Sequence, residues 1–131
     1  NRSLFPKLAK KDLFDLFHIR YNPAHRGAKK ECFSLFDTKT SPGLVTYTAT
    51  RWGHLLQSKR MPPGDNPLSA SECYRFSLSD PRVNICMCGP GDKKQMQDAL
   101  TALDKGLLTK DEEKRIIRIG DHVHKSAKGF L

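Results

Sequence analysis

Apolar positions along the chain switch repeatedly between helical spacing and dense, extended runs. Leu4, Phe5 and Leu8 share one face of a short helix that Ser3 caps and that ends near Lys10. Residues 13–19 are crowded with apolar and aromatic side chains, which predicts a buried strand, and Pro23 bends its exit. Ala28, Cys32, Phe33 and Phe36 then fall on one face of a helix over 27–36. Ser41-Pro42-Gly43 is a turn. The β-branched run over 44–50 predicts a second strand, and the prolines and glycine of 61–67 a loop.

The second half is punctuated by helix starts. Ser69-Ala70-Ser71-Glu72 is a capping box that opens a helix to about Ser79, and Asp80-Pro81 ends it. Residues 83–88 predict a third strand, broken by Gly89-Pro90-Gly91. Asp92 with Gln95 forms another box. Behind it, Met96, Ala99, Leu100 and Leu103 stand at i, i+3, i+4 and i+7, the stripe of an amphipathic helix. Thr109 with Glu112 opens the last helix, which is expected to run to about Gly120 or slightly beyond. The basic stretch over 121–131 is expected to be a flexible tail.

This αβαβαβαα order predicts an α/β fold with parallel strands joined by right-handed crossovers. At 131 residues and 14.8 kDa the chain has the length of one domain. Three parallel strands alone leave two open edges, and parallel sheets are usually covered on both faces. Neither GxGxxG nor GxxxxGK[ST] is present, so the pattern is not a complete dinucleotide-binding or P-loop domain. It reads instead as consecutive βα units of a larger barrel. The first residue, Asn1 rather than Met, fits that expectation.

Composition narrows the classes further. Apolar residues are 37% and charged residues 28%, which excludes a disordered or collagen-like chain. No apolar run is long enough for a transmembrane helix, and no secretory h-region opens the chain. The formal charge of +9 favours polyanions without choosing among nucleic acid, anionic membrane and phosphorylated cofactor. Cys32, Cys73, Cys86 and Cys88 are expected to be reduced thiols in a cytoplasmic protein.

Three stretches resemble the aldo/keto reductase family, a (β/α)₈ barrel. The first is Phe17-His18-Ile19-Arg20-Tyr21-Asn22-Pro23-Ala24-His25-Arg26-Gly27. The second is Thr46-Tyr47-Thr48-Ala49-Thr50-Arg51-Trp52-Gly53-His54-Leu55-Leu56. The third runs from Tyr74-Arg75-Phe76 to Asp104. Together they are most similar to a bacterial subgroup of that family. The resemblance implies a partial TIM barrel, roughly the last three βα units plus a C-terminal helix, with strands near 13–20, 44–50 and 83–88. The whole chain, 1–131, would be one C-terminal segment of that barrel.

The resemblance also implies a function: reduction of a small carbonyl substrate with NADP as cofactor, NAD remaining open. Tyr47 matches the ring that stacks on the nicotinamide, and Thr48 and Thr50 match positions near the pyrophosphate. His18 falls where many members hold the carboxamide. Gly89, Pro90, Gly91 and the following helix start fall where the family grips the 2′-phosphate, with Gly89 and Pro90 in place of its usual polar pair and Gln95 in place of its usual Arg. Lys93 and Lys94 flank that start, and Asp92 sets a negative charge there. The catalytic Tyr, Lys, Asp and His of the family come from earlier strands. No catalytic residue is therefore assigned, and the chain alone is expected to be inactive.

Each of these readings has a plainer rival. Tyr47 and His18 also suit a core, and Trp52 suits either a substrate wall or a core. Cys86-x-Cys88 with His122-x-His124 departs from the usual zinc spacing, so no metal is assigned. The alternative function is a small basic module binding nucleic acid or another polyanion. Against it, the lysine doublets are scattered over separate elements and no nucleic-acid motif appears. Self-association through the open strand edges, two copies completing one barrel, is a further expectation.

Overall fold

A computed structural model describes residues 4–11, 13–36 and 42–126. The order along the chain is α1 (Phe5–Ala9), β1 (Leu16–Arg20), α2 (Gly27–Glu31), β2 (Gly43–Tyr47), α3 (Ala70–Leu78), β3 (Val83–Cys86), α4 (Lys93–Lys105) and α5 (Lys110–Ser126). This is the predicted αβαβαβαα succession. Short 3₁₀ turns follow α2 (Phe33–Leu35) and β2 (His54–Leu56 and Ser58–Arg60). The strands form a three-stranded, fully parallel sheet in the order β1-β2-β3, so the architecture is α/β. The register slips between Leu44 and Val45, where the Asn84 side-chain oxygen accepts the Leu44 N–H at 2.8 Å.

The strands alternate in side-chain direction, and among the described residues one face of the sheet carries the main packed core. Ile19, Leu44 and Val83 join Phe33, Phe76, Ile116 and Ile119 in the core under the helices. On the opposite face the register aligns Leu16, His18 and Arg20 with Gly43, Val45 and Tyr47, and Val45 with Ile85. All but Val45 and Gly43 of these are exposed, and Val45 lies outside the main apolar cluster. This is why the run over 13–19 is not the buried strand its composition predicts. Leu13, Phe14 and Leu16 stand in solvent on an uncovered edge, and pairing begins only at Leu16. An aromatic cluster shores up that edge: Phe5 meets Phe17 at 4.9 Å between ring centroids and Phe36 at 5.3 Å.

Other boundaries differ for local reasons. The helix expected over 27–36 breaks at Cys32 (φ −120°) and tightens into the 3₁₀ turn, which seats Phe33 against Tyr21 at 4.9 Å. The strand β2 stops at Tyr47, because Thr48 turns left-handed. Strand β3 ends at Cys86, although Met87 N still donates to Thr46 O at 2.8 Å. The expected apolar stripe of α4 is present but unpacked. Met96, Leu100 and Leu103 are exposed, Leu103 by 70%, while Ala99 and Ala102 make the contact with the fold. The last helix runs six residues beyond Gly120. It continues through Ser126 with Val123 buried, so residues 121–126 are helix rather than tail. The expected Ser3 cap, Ser41 of the turn and residues 127–131 of the tail lie outside the described residues.

Two of the three expected capping boxes close fully. Ser69 and Glu72 exchange bonds of 3.1 and 2.8 Å, and Thr109 and Glu112 bonds of 3.2 and 2.7 Å. The third closes in part. Asp92 accepts from Gln95 N at 2.8 Å, but the Gln95 side chain accepts from Gly91 N rather than from the Asp92 backbone. Buried Arg75 locks the helical layer from within. It forks onto Glu112 at 2.7 and 3.0 Å and donates to the carbonyls of Gly106 and Leu107.

Candidate functional site

Parallel strands deliver their following loops to one end of the sheet, and that end is where α/β folds place their chemistry. The loop after β1 is organised by Asn22, which is fully buried. Its Nδ2 donates to Thr48 O at 2.9 Å, tying the loop after β1 to the loop after β2. Its Oδ1 accepts from Ala24 N at 3.0 Å and lies 3.3 Å from His25 Nδ1. Beneath it Tyr21 stacks on Phe76 at 5.5 Å, and burial raises its phenol far above the ordinary range.

The loop after β2 is strained. Thr48, Arg51 and Trp52 have φ of 57°, 52° and 52°, and Gly53 follows at 78°. Only Gly holds that region without steric cost, so three side-chain-bearing residues there mark a conformation imposed by its surroundings. The loop folds back on itself: Arg51 N donates to Thr48 O at 2.9 Å, and His54 N to Arg51 O at 3.0 Å. Gly53 N reaches Thr50 Oγ1 at 3.3 Å.

Positive charge collects on this loop. Arg51 is buried and donates through Nη1 to Val123 O at 2.7 Å, while its Nε has no hydrogen-bond partner among the described residues. Burial, with repulsion from Arg60 and Arg20, pulls Arg51 below the ordinary guanidinium range. His54 is lowered by desolvation and then by Arg60, Arg51 and Lys59, and its buried Nδ1 also lacks a partner. The charges acting on both groups are thus all of one sign. A site of this kind favours an anion, whose arrival would relieve both the repulsion and the unpaired N–H.

Helix α5 closes one side of this end. A Cβ at Gly120 would collide with the Pro23 carbonyl, so glycine alone allows the helix to touch the loop after β1. Arg26 bonds Asp121 at 2.7 Å, and the His25 and His124 rings meet edge to face at 5.3 Å.

Tyr47 is 38% exposed on the bare sheet face, which rules out the core reading. With His18, Arg20 and His25 it lines a cleft of about 360 Å³ at the β1 edge. Trp52 is 65% exposed and so is not core either. Thr48 and Thr50 are half-buried in the strained loop. Gly89, Pro90, Gly91 and Gln95 lie past the end of β3, away from that cleft's described wall. There Asp92 caps α4, and Gln95 is occupied by Gly91 N and Asp92. No motif singles out Arg20, Arg51, His54 and Arg60. The folded loop after β2 brings the three arginines and the histidine together beside the end of β1.

The four cysteines are free thiols. Cys86 and Cys88 line a groove with α3 and α4, whereas His122 lines a cleft with Lys114 and Asp121, so the two pairs are not brought together. Among the described residues no three His, Cys, Asp or Glu side chains gather in a way that holds a metal, and no helix is long and apolar enough to cross a membrane. The chain matches no model of a known protein family and no curated protein.

Proposed function

We propose that the chain is the cofactor-binding, C-terminal portion of an aldo/keto reductase-like (β/α)₈ barrel that reduces a small carbonyl substrate with NADPH or NADH. The observation that carries this reading is the bare sheet face, with Tyr47 at its carboxyl end beside the strained cationic loop. A barrel wall presents one such face to its lumen and has its chemistry at this end. Tyr47 offers a flat, accessible ring to a nicotinamide. The loop of Thr48, Thr50 and Arg51 offers backbone and positive field to a pyrophosphate. The cofactor, when bound, supplies the hydride; these residues orient and neutralise it. The four free thiols suit a cytoplasmic setting.

The start of α4 suits a phosphate less well. Asp92 places a carboxylate at the helix N-terminus, and Gln95 is spent on the cap. Discrimination between NADPH and NADH would therefore be weak at Lys93 and Lys94. The test is a nicotinamide-fluorescence titration with the 131-residue chain. NADPH and NADH are expected to give a saturable change, lost in Tyr47→Ala, with no turnover of an aldehyde. No change with either dinucleotide, together with salt-sensitive binding of mixed RNA or DNA, would overturn the reading in favour of a polyanion-binding module.

A further inference from the structure

We propose that the groove between α3, β3 and α4 binds a soft monovalent metal ion, Cu(I), held by the Sγ atoms of Cys86 and Cys88 and the thioether of Met96. All three sulfur-bearing side chains line this one groove of about 130 Å³. The proposal does not depend on the barrel reading.

Strand geometry sets the two thiols. The Met87 N–H still pairs with Thr46 O, so the extended backbone runs past Cys86. Cys86 and Cys88 therefore point to the same side, with Met87 opposite. Residues two apart in a strand are about 6.6 Å apart. That is too far for a disulfide, which needs Cβ atoms within about 4.5 Å. It is suitable for chelation: sulfurs converging on one ion at roughly 2.3 Å each need a span of only about 4–5 Å. Tyr74 lines the same groove as the two thiols. Cys88 is exposed and opens the groove to entry.

The third ligand comes from the unpacked stripe of α4. Met96 stands one turn into the helix and faces the groove because no described element covers that side. Most of the remaining wall is carbon, including Leu78, Ala99, Leu100 and Leu103. Zinc takes four N, S or O ligands, and no imidazole or carboxylate lines the groove. Thiolate and thioether ligands select Cu(I). Each thiol gives up its proton as its sulfur binds the ion, and the metal changes no oxidation state.

The experiment titrates Cu(I) anaerobically into the reduced 131-residue chain in competition with bicinchoninate, a chromogenic Cu(I) chelator. One equivalent is expected to be withheld. Cys88→Ser should abolish that uptake, and Met96→Leu, which keeps the side-chain volume, should weaken it about tenfold. Both positions are exposed, and circular dichroism checks that each variant keeps its helices. Zn(II), titrated against its own indicator, should bind far more weakly than Cu(I). Failure of the wild-type chain to withhold copper overturns the proposal. So does Met96→Leu binding as tightly as wild type, or Zn(II) held as tightly as Cu(I).

Discussion

The helical layer and the carboxyl-end loops treat their polar groups in opposite ways. Around α3 and α5 charge is matched. Ser69 and Thr109 close full boxes, Arg75 fills Glu112 and two carbonyls, and Arg115 reaches Glu72 at 2.7 Å. One hydroxyl, Ser71 Oγ, is left over. Around the loops after β1 and β2 the mismatch is concentrated. Among the described residues Arg51 Nε and His54 Nδ1 are buried without hydrogen-bond partners, as is Nδ1 of His124 where the end of α5 meets the loop after β1; cations face cations, and three side-chain-bearing residues are left-handed. Such costs persist only where the surroundings enforce them.

The joint between the two regions is Gly120, and breaking it should have the largest effect. Its missing Cβ lets α5 touch the Pro23 backbone, which cannot step aside as a side chain could. Gly120→Ala is expected to cost about 3 kcal/mol, read as a lower denaturant midpoint at unchanged slope. Gly53→Ala is the control within the loop. Nothing crowds that position, so only its φ of 78° is penalised, by about 1 kcal/mol. Equal costs at the two sites would mean that α5 does not bear on the loop as described.

The next effect isolates the matched side. Arg75→Leu removes the buried guanidinium's bonds to the Gly106 and Leu107 carbonyls and its fork onto Glu112, and should cost about 1–3 kcal/mol. Its pH signature is more specific. Hydrogen bonding from Arg75, then from Thr109, holds the Glu112 carboxyl down to about 2, against 4.5 ordinarily. A carboxyl lowered on folding lends stability that is complete above its unfolded value and lost as the pH falls toward the folded one. Wild-type stability should therefore decline between about pH 5 and pH 2. In Arg75→Leu that slope should flatten. An unchanged acid slope would show that Glu112 does not depend on Arg75. His54, lowered by burial and neighbouring cations, bears on a different window. Protonation favours the unfolded chain, so its contribution is complete above its ordinary value of 6.5 and is lost as the pH falls from there toward the lower folded value.

The same division explains what could be read from the chain. Ser69 with Glu72 and Thr109 with Glu112 are contacts between residues three apart, so composition and spacing suffice to foresee them. The strand succession is legible because periodicity is also local. Burial is not. The run over 13–19 looks like core because it is apolar, yet a side chain is buried only if something lies across from it, and β1 is an edge with one covered face. The stripe of Met96, Leu100 and Leu103 misleads in the same way. Tyr47, Thr48 and Thr50 stand out in the sequence only through the family resemblance. The cluster of Arg20, Arg51 and Arg60 is assembled by tertiary folding from three segments and leaves no local trace.

The smallest effect probes the strain directly. Thr48 is β-branched and sits at φ 57°, where a side chain costs about 1–2 kcal/mol and glycine nothing. Glycine also loses more backbone freedom on folding, about 0.5–1 kcal/mol. The Thr48 hydroxyl contributes little in return, since it bonds only the adjacent Tyr47 carbonyl at an exposed site. Thr48→Gly is thus expected to stabilise the chain by about 0.5 kcal/mol, measured as a higher guanidinium midpoint. The same substitution should weaken the dinucleotide response, because a loosened loop must be reordered on binding. The two readouts move in opposite directions only if the strain serves the loop's ligand. If stability falls instead, the left-handed turn is held by contacts of Thr48 itself, and the contrast between a matched layer and a strained loop loses its clearest case.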